Sequence, residues 1–286
     1  MKPSADAVPL SPAETFFPER GQRFLRGLES TRSSNEVWEL LMQLGRDVNL
    51  PSIDFISASD WRHWKRTLFV RNSYDATWLH AMNQDSEQFR GSYFRVHGLR
   101  HLTPLCVGLE FREDYPDLPP DRLSVLQAAA DRGLRAGIAI PLRQTAPPSA
   151  AMLSFIGDHD REALLEILKA ECWTLTVGAW AAHQRYMQHF SEEFFVRNGV
   201  TPKQRELLEM IGAGYLDKEI ARTLGITVSA VRQRLSALIA KTGACNRAEL
   251  AALAMSLGVL PDPHNRPLDE GDGDGDGAEV YPRVLE

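Results

Sequence analysis

Cysteine is scarce in this chain: three residues in 286, at Cys106, Cys172 and Cys245. They are odd in number, widely spaced and without a CxxC pair or clustered histidines, which excludes a disulfide framework and a zinc site of known spacing. Small buried hydrophobes are expected instead. No apolar run approaches the roughly 20 residues that a membrane span requires. The opening MKPSADAVPLSPAETFFPER lacks the apolar segment of a secretory signal, so a cytoplasmic location is expected. Enzyme motifs are missing as well: there is no GxSxG, no HExxH, no Walker or Rossmann glycine pattern, and no cysteine with a motif-level partner. The expectation is a protein with no catalytic residue, no metal and no cofactor.

What is present is concentrated near the C-terminal end. Between Val200 and Leu260 the chain reads as four short, sharply punctuated helices. Thr201 caps the first, with Pro202 at its first position and Gln204 completing a capping box; Gly214 closes it. Asp217 is expected to cap a second helix carrying Ile220, Ala221 and Leu224 inward, and Gly225 supplies the tight turn of a helix-turn-helix. Thr227 caps the third, in which Val231, Leu235, Leu238 and Ile239 repeat at helical spacing while Arg232, Gln233, Arg234 and Ser236 are left outside. Asn246 and Glu249 form a second capping box before Leu250, Leu253, Ala254 and Leu257.

Charge agrees with a DNA-binding reading. From 200 to 260 eight Lys and Arg stand against five acids, a net +3 in a chain whose formal charge is −6. The third helix, Val228 to Lys241, carries Arg232, Arg234 and Lys241 and no acid, as a helix entering a phosphate-lined major groove requires. The tail from 262 to 286, with eight acids and two arginines, accounts for the whole net charge, and its GDGDGDG run cannot bury apolar area. Asp272, Asp274, Asp276 and Gly277 imitate the start of a calcium loop, but Arg283 stands where the bidentate Glu is needed, so a disordered acidic tail is expected there and no metal.

The middle of the chain mixes two periods. Asn35 to Gly45, Ala76 to Met82 and Leu123 to Arg132 read as helices; Ile53 to Ile56, Leu68 to Arg71, Tyr93 to Leu99, Gly137 to Leu142 and Ala151 to Ile156 read as strands. A long helix follows, capped by Asp160. Strands joined by short links favour an antiparallel sheet, and helices before and after it favour a layered arrangement. The expected fold class is α+β: an N-terminal α-β-α sandwich with an antiparallel sheet, followed by an all-α four-helix helix-turn-helix domain. The expected domains are a flexible arm over 1–30 with a short helix near Gly21 to Glu29, a ligand domain over 31–188, a linker over 189–199, the DNA-binding domain over 200–260 and the tail over 261–286.

The C-terminal run resembles the LuxR-type helix-turn-helix. Thr201, Pro202, Leu208, Gly214, Lys218, Glu219, Ile220, Ala221, Leu224, Ile226, Val231, Leu235, Lys241, Gly243, Asn246, Arg247 and Ala248 fall at that family's positions without a gap. The resemblance, together with the helix pattern, implies contacts to double-stranded DNA from Thr227, Ser229, Arg232, Gln233, Arg234, Ser236 and Lys241. Arg232 sits where the family reads a base edge, and Ala230 replaces a common Thr.

The segment before it is similar to the autoinducer-binding domain of LuxR-type quorum-sensing receptors, most clearly from Ala128 to Asp158. That similarity implies a small-molecule pocket lined by Tyr74, Trp78, Met82, His97, Phe111 and Ser154. Tyr74, Trp78 and Ser154 match the family's pocket pattern. Met82 stands where a second Tyr is usual, His97 where an Asp accepts the ligand amide, and Phe111 is the nearest candidate for a second indole. A weak response to ordinary acyl-homoserine lactones is therefore expected, since a neutral His cannot reproduce a carboxylate. The whole implies a cytoplasmic homodimeric transcription regulator, with no membrane contact, controlled by an acyl-homoserine lactone or another ligand. The alternative is a ligand-independent regulator or anti-activator that dimerises with another LuxR-type protein.

Overall fold

The structure, a computed structural model, describes residues 16–58, 67–78, 97, 101–142 and 150–257. The chain divides into two compact units, Met1–Val196 and Arg197–Glu286. Among the described residues no helix is long and apolar enough to cross a membrane.

In the first unit two helices, α1 (Glu19–Glu29) and α2 (Ser34–Asp47), precede β1 (Ser52–Ala58) and β2 (Thr67–Asn72). There follow β3 (Leu105–Gly108), a 3-10 turn (Leu109–Asp114), α3 (Pro120–Ala130), β4 (Ala136–Pro141), β5 (Ala150–Gly157) and the long α4 (Arg161–Arg197). The strands form one sheet in the order β2-β1-β5-β4-β3, every pair antiparallel. The α+β class, with helices about an antiparallel sheet and an all-helical second unit, is the one expected.

Because side chains alternate along a strand, register decides which residues share a face. Asn72 pairs with Asp54, Asp54 with Ser154, Ser154 with Ala139 and Ala139 with Leu105, so one row crosses all five strands. Ile53, Phe55, Leu153, Phe155, Ile138 and Ile140 point to the opposite face and are fully buried or nearly so. There the Phe55 ring meets Tyr186 and His183 of α4 edge-on, at 5.0 and 5.8 Å. Gly45 lets α2 press on β1, since a Cβ there would lie 2.7 Å from the Leu50 carbonyl oxygen and 3.2 Å from Ile53.

Three expectations need correction. The helix near the N-terminus starts at Glu19 and buries Phe24 and Leu28, so this part of the expected arm belongs to the core. The expected linker over 189–199 is largely helix, because α4 runs to Arg197. Phe190 and Phe195 continue its apolar stripe, and Glu193 ties it back to the start of α2 by accepting from Ser34 N at 2.7 Å and Ser34 Oγ at 2.6 Å. His97 is helical rather than extended, its carbonyl accepting from His101 N at 2.8 Å; the rest of the strand expected over Tyr93 to Leu99 lies outside the described residues. β3 was not anticipated.

The second unit comprises α5 (Pro202–Gly212), α6 (Asp217–Thr223), α7 (Val228–Thr242) and α8 (Arg247–Ser256). Its core is Leu207, Leu208, Ile211, Ile220, Val231, Leu238, Leu250 and Ala254, the inward stripes read from the sequence. Both hydrogen bonds of the Thr201–Gln204 capping box are present. Thr227 Oγ1 accepts from Ala230 N at 3.1 Å, and Asn246 Oδ1 from Glu249 N at 2.9 Å. Gly225 holds φ 62°, a left-handed conformation that lets Ile226 N return to Ala221 O and turns the chain into α7. Asp217, expected as the cap of α6, is its first residue instead; Leu216 takes the cap position and its N–H is satisfied by Glu219 Oε2 at 2.7 Å. The Asp217 carboxylate is thereby left for other partners.

Candidate ligand site and DNA-reading surface

The sheet row has a polar and an apolar end. Leu105, Val107, Ala139 and Met152 form one buried cluster, with Tyr115 packed against it. At the other end Asp54 Oδ1 accepts from Asn72 Nδ2 at 2.5 Å and from the Tyr74 hydroxyl at 2.6 Å, and Ser154 lies beside Asp54 in register, buried. Burial first, and the Asp54 charge second, push the Tyr74 phenol far above the usual tyrosine range, so it remains a protonated donor.

Trp78 follows on a helical turn, with the Arg132 guanidinium 4.8 Å from its ring centroid. Its indole Nε1 is buried and has no hydrogen-bond partner among the described residues. A donor in that state carries a desolvation cost of about 1–3 kcal/mol that a bound acceptor would remove. Of the other residues assigned to the pocket, Met82 lies outside the described residues. His97 Nε2 lies 2.7 Å from Thr103 O; a carbonyl can only accept, so this nitrogen holds the proton and Nδ1 is the acceptor in the neutral ring. The His97 ring stacks on His101 at 4.4 Å. Phe111 is fully buried in the 3-10 turn beneath the Arg161 guanidinium at 4.6 Å.

On α7 the residues assigned to DNA fall into two groups. Ser229, Arg232, Gln233 and Ser236 are exposed and recur at three- and four-residue spacing, one outward face beside the capping Thr227. Lys241, nine positions beyond Arg232 and hence about 180° round the helix, donates to Gln204 Oε1 at 2.8 Å and to Gly199 O. Arg234 lies on that same side and is half-buried. Arg232, whose side chain is 73% exposed, approaches Asp217 Oδ2 at 3.5 Å. The surface that can meet a groove is therefore narrower than the full set of basic residues.

Two family descriptions match this arrangement. The autoinducer-binding domain matches residues 33–186, and that of bacterial regulatory proteins of the luxR family matches 198–254. The chain belongs to the autoinducer-binding luxR family. That family is one of regulators rather than an enzyme class. Its members most similar in sequence here include the transcriptional activator proteins AhyR of Aeromonas hydrophila and AsaR of Aeromonas salmonicida, each 32% identical over 140 residues, 48% of this chain and 53% of the relative. The chain thus spans about half the length of these curated relatives. In fold it is similar to SdiA of Escherichia coli, with TM-score 0.53 and 17% identity over 85% of this chain and 98% of the other. A structure of SdiA in complex with octanoyl-rac-glycerol gives TM-score 0.52 and 15% identity over 89% and 100%.

Within this luxR-family frame the residue that sequence reasoning missed is Asp54. Its signal was an acid inside the otherwise apolar strand run IDFI, which puts a charge on a sheet face. Only the register shows that it stands between Asn72 and Ser154 and within reach of Tyr74.

Proposed function

We propose that this protein is a cytoplasmic, homodimeric transcription regulator that binds specific double-stranded DNA through α7, under the control of a small acyl ligand bound on the Asp54 face of the sheet. The observation that carries the ligand half is the buried, unpartnered Trp78 Nε1 on the segment that leads from Tyr74, a donor awaiting a carbonyl. The DNA half is supported by the outward set Ser229, Arg232, Gln233 and Ser236 on an acid-free, capped helix. The activator relatives AhyR and AsaR, and the acylglycerol held by SdiA, are consistent with both halves. The protein acts by binding, not by catalysis. A dimer suits a one-helix reader because two half-sites lengthen the sequence read.

Selection of bound duplexes from a random pool, with and without acyl-homoserine lactones or acylglycerols, tests this. The expected result is a two-fold-symmetric site whose recovery depends on ligand. Recovery of the same site with equal affinity in every condition would remove ligand control. Recovery of none, together with stable association with another LuxR-type protein, would establish the anti-activator alternative.

A further inference from the structure

An arginine carries its N–H donors in one plane as two forks, Nη1 with Nη2 at the tip and Nε with Nη2 along the side. On α7, Arg232 turns Nε towards Asp217, 3.5 Å from Oδ2. The other oxygen of that carboxylate accepts from Arg247 Nη1 at 2.7 Å, and Arg247 is tied in turn to the Tyr215 carbonyl. The acid is thus held by α8 and by the turn before α6, and only 26% of its side chain is exposed against 73% for Arg232. An exposed pair of this kind contributes little to stability. What it sets is direction: with Nε turned to the carboxylate, the tip fork is the one left for a base on the outward face of Ser229, Gln233 and Ser236.

We propose that Asp217 is a positioning residue for base recognition, holding the Arg232 guanidinium so that Nη1 and Nη2 donate to O6 and N7 of one guanine in the major groove. This rests on the DNA-binding reading above. No other base edge offers that pair of acceptors: adenine sets a donor amine beside N7, thymine has one acceptor, and cytosine presents a donor. A guanidinium held at one angle discriminates among these, whereas one that turns freely is as well satisfied by a phosphate oxygen, which carries no sequence information. Two guanidiniums against one carboxylate also leave the cluster positive, so the acid does not repel the duplex.

The duplex selection described above, repeated with the full chain as parent, Arg232→Ala, Asp217→Asn and Arg247→Ala, tests this when followed by titration of the parent's site and of an A·T-only duplex. The parent's half-site is expected to fix one guanine that Arg232→Ala no longer selects. Asp217→Asn keeps an oxygen for Arg247 but loses the charge that faces Arg232. Its preference for that guanine should fall about five- to tenfold, with binding to the A·T duplex unchanged. Arg247→Ala, which removes the bond to α8 and spares the pair with Arg232, should keep the preference. If Asp217→Asn does not fold, 15N relaxation of the Arg232 Nε–H in the parent decides, since it should be more ordered than that of the exposed Arg222. Five results would overturn the role of Asp217 while leaving DNA reading intact: a parent site with no guanine that depends on Arg232, a parent-like preference in Asp217→Asn, tighter binding of the same site by that variant, an equal loss in Arg247→Ala, or an Arg232 Nε–H as mobile as that of Arg222. A parent that selects no site overturns both.

Discussion

Arg247 Nη1 donates to Asp217 Oδ1 at 2.7 Å, joining the first residue of α8 to the first residue of α6. The other oxygen of the same carboxylate faces Arg232 Nε at 3.5 Å. One acid thus holds two arginines with different exposure, 33% for Arg247 and 73% for Arg232. Arg247 also donates to the Tyr215 carbonyl, so its guanidinium closes the turn before α6.

The two arginines should separate by experiment. Arg232→Ala is expected to weaken specific DNA binding by about 1–3 kcal/mol and to relax base preference, with a stability change under about 1 kcal/mol because the pair is exposed. Arg247→Ala should do the reverse, destabilising the second unit by about 1–2 kcal/mol through lost charge-assisted bonds and leaving base preference unchanged. Calorimetry paired with binding to a panel of single-base variants reads both quantities. An unaltered base preference in Arg232→Ala would remove that residue from direct readout.

Lys241 gives a contrasting case. A phosphate contact at this position would make Lys241→Ala lower specific and non-specific binding alike and shallow the salt dependence by about one charge. The bonds to Gln204 and Gly199 O point instead to a brace between α7 and the start of α5. The expected outcome is a loss of about 1 kcal/mol in stability with an unchanged salt slope. Non-additivity with Gln204→Leu in a double-mutant cycle would establish the coupling.

The helix-turn-helix unit was legible residue by residue because its information is local: caps, glycine stops and a 3.6-residue stripe each act within one turn. Where a local rule admits two neighbours, as with Leu216 and Asp217, the sequence pattern put the cap one residue late. The sheet was legible in outline only. β3 is four residues long, too short for alternation to register, and the placement of Asp54 between Asn72 and Ser154 depends on cross-strand register. His97 reads as a strand residue by its neighbours, yet its hydrogen bonds are those of a helical turn. The segment read as a linker is helix because Glu193 finds its partner at Ser34, 159 positions away in sequence.

His183 makes stability depend on pH. Burial between the sheet and α4, beside Phe55, lowers its pKa from 6.5 to about 4. The unfolded chain binds the proton more readily, so between pH 4 and 6.5 stability rises with pH. The contribution is fully present above 6.5, is lost as pH falls, and amounts to about 3 kcal/mol once pH is below 4. All six tryptophans lie in the first unit, so their fluorescence follows its unfolding alone. Urea midpoints measured from pH 7 down to 4.5 should fall, and His183→Gln should flatten the profile. A parallel slope in parent and variant would assign the pH dependence to other groups.

Trp78 offers a test in which stability and ligand response move apart. Replacing it by Phe removes the buried N–H and keeps most of the aromatic surface against Arg132. In the ligand-free protein no hydrogen bond to a described residue is lost, so the first unit should be as stable as the parent or more so, by up to about 1 kcal/mol. With a saturating acyl ligand the parent gains stability by mass action, and the variant should gain less by the worth of one hydrogen bond, about 1–2 kcal/mol. DNA affinity without ligand should be unchanged. Thermal unfolding of both proteins across a ligand series measures all three quantities. A variant that loses stability before ligand is added would make Trp78 a core residue, and one that keeps the full ligand-induced gain would take the indole N–H out of recognition.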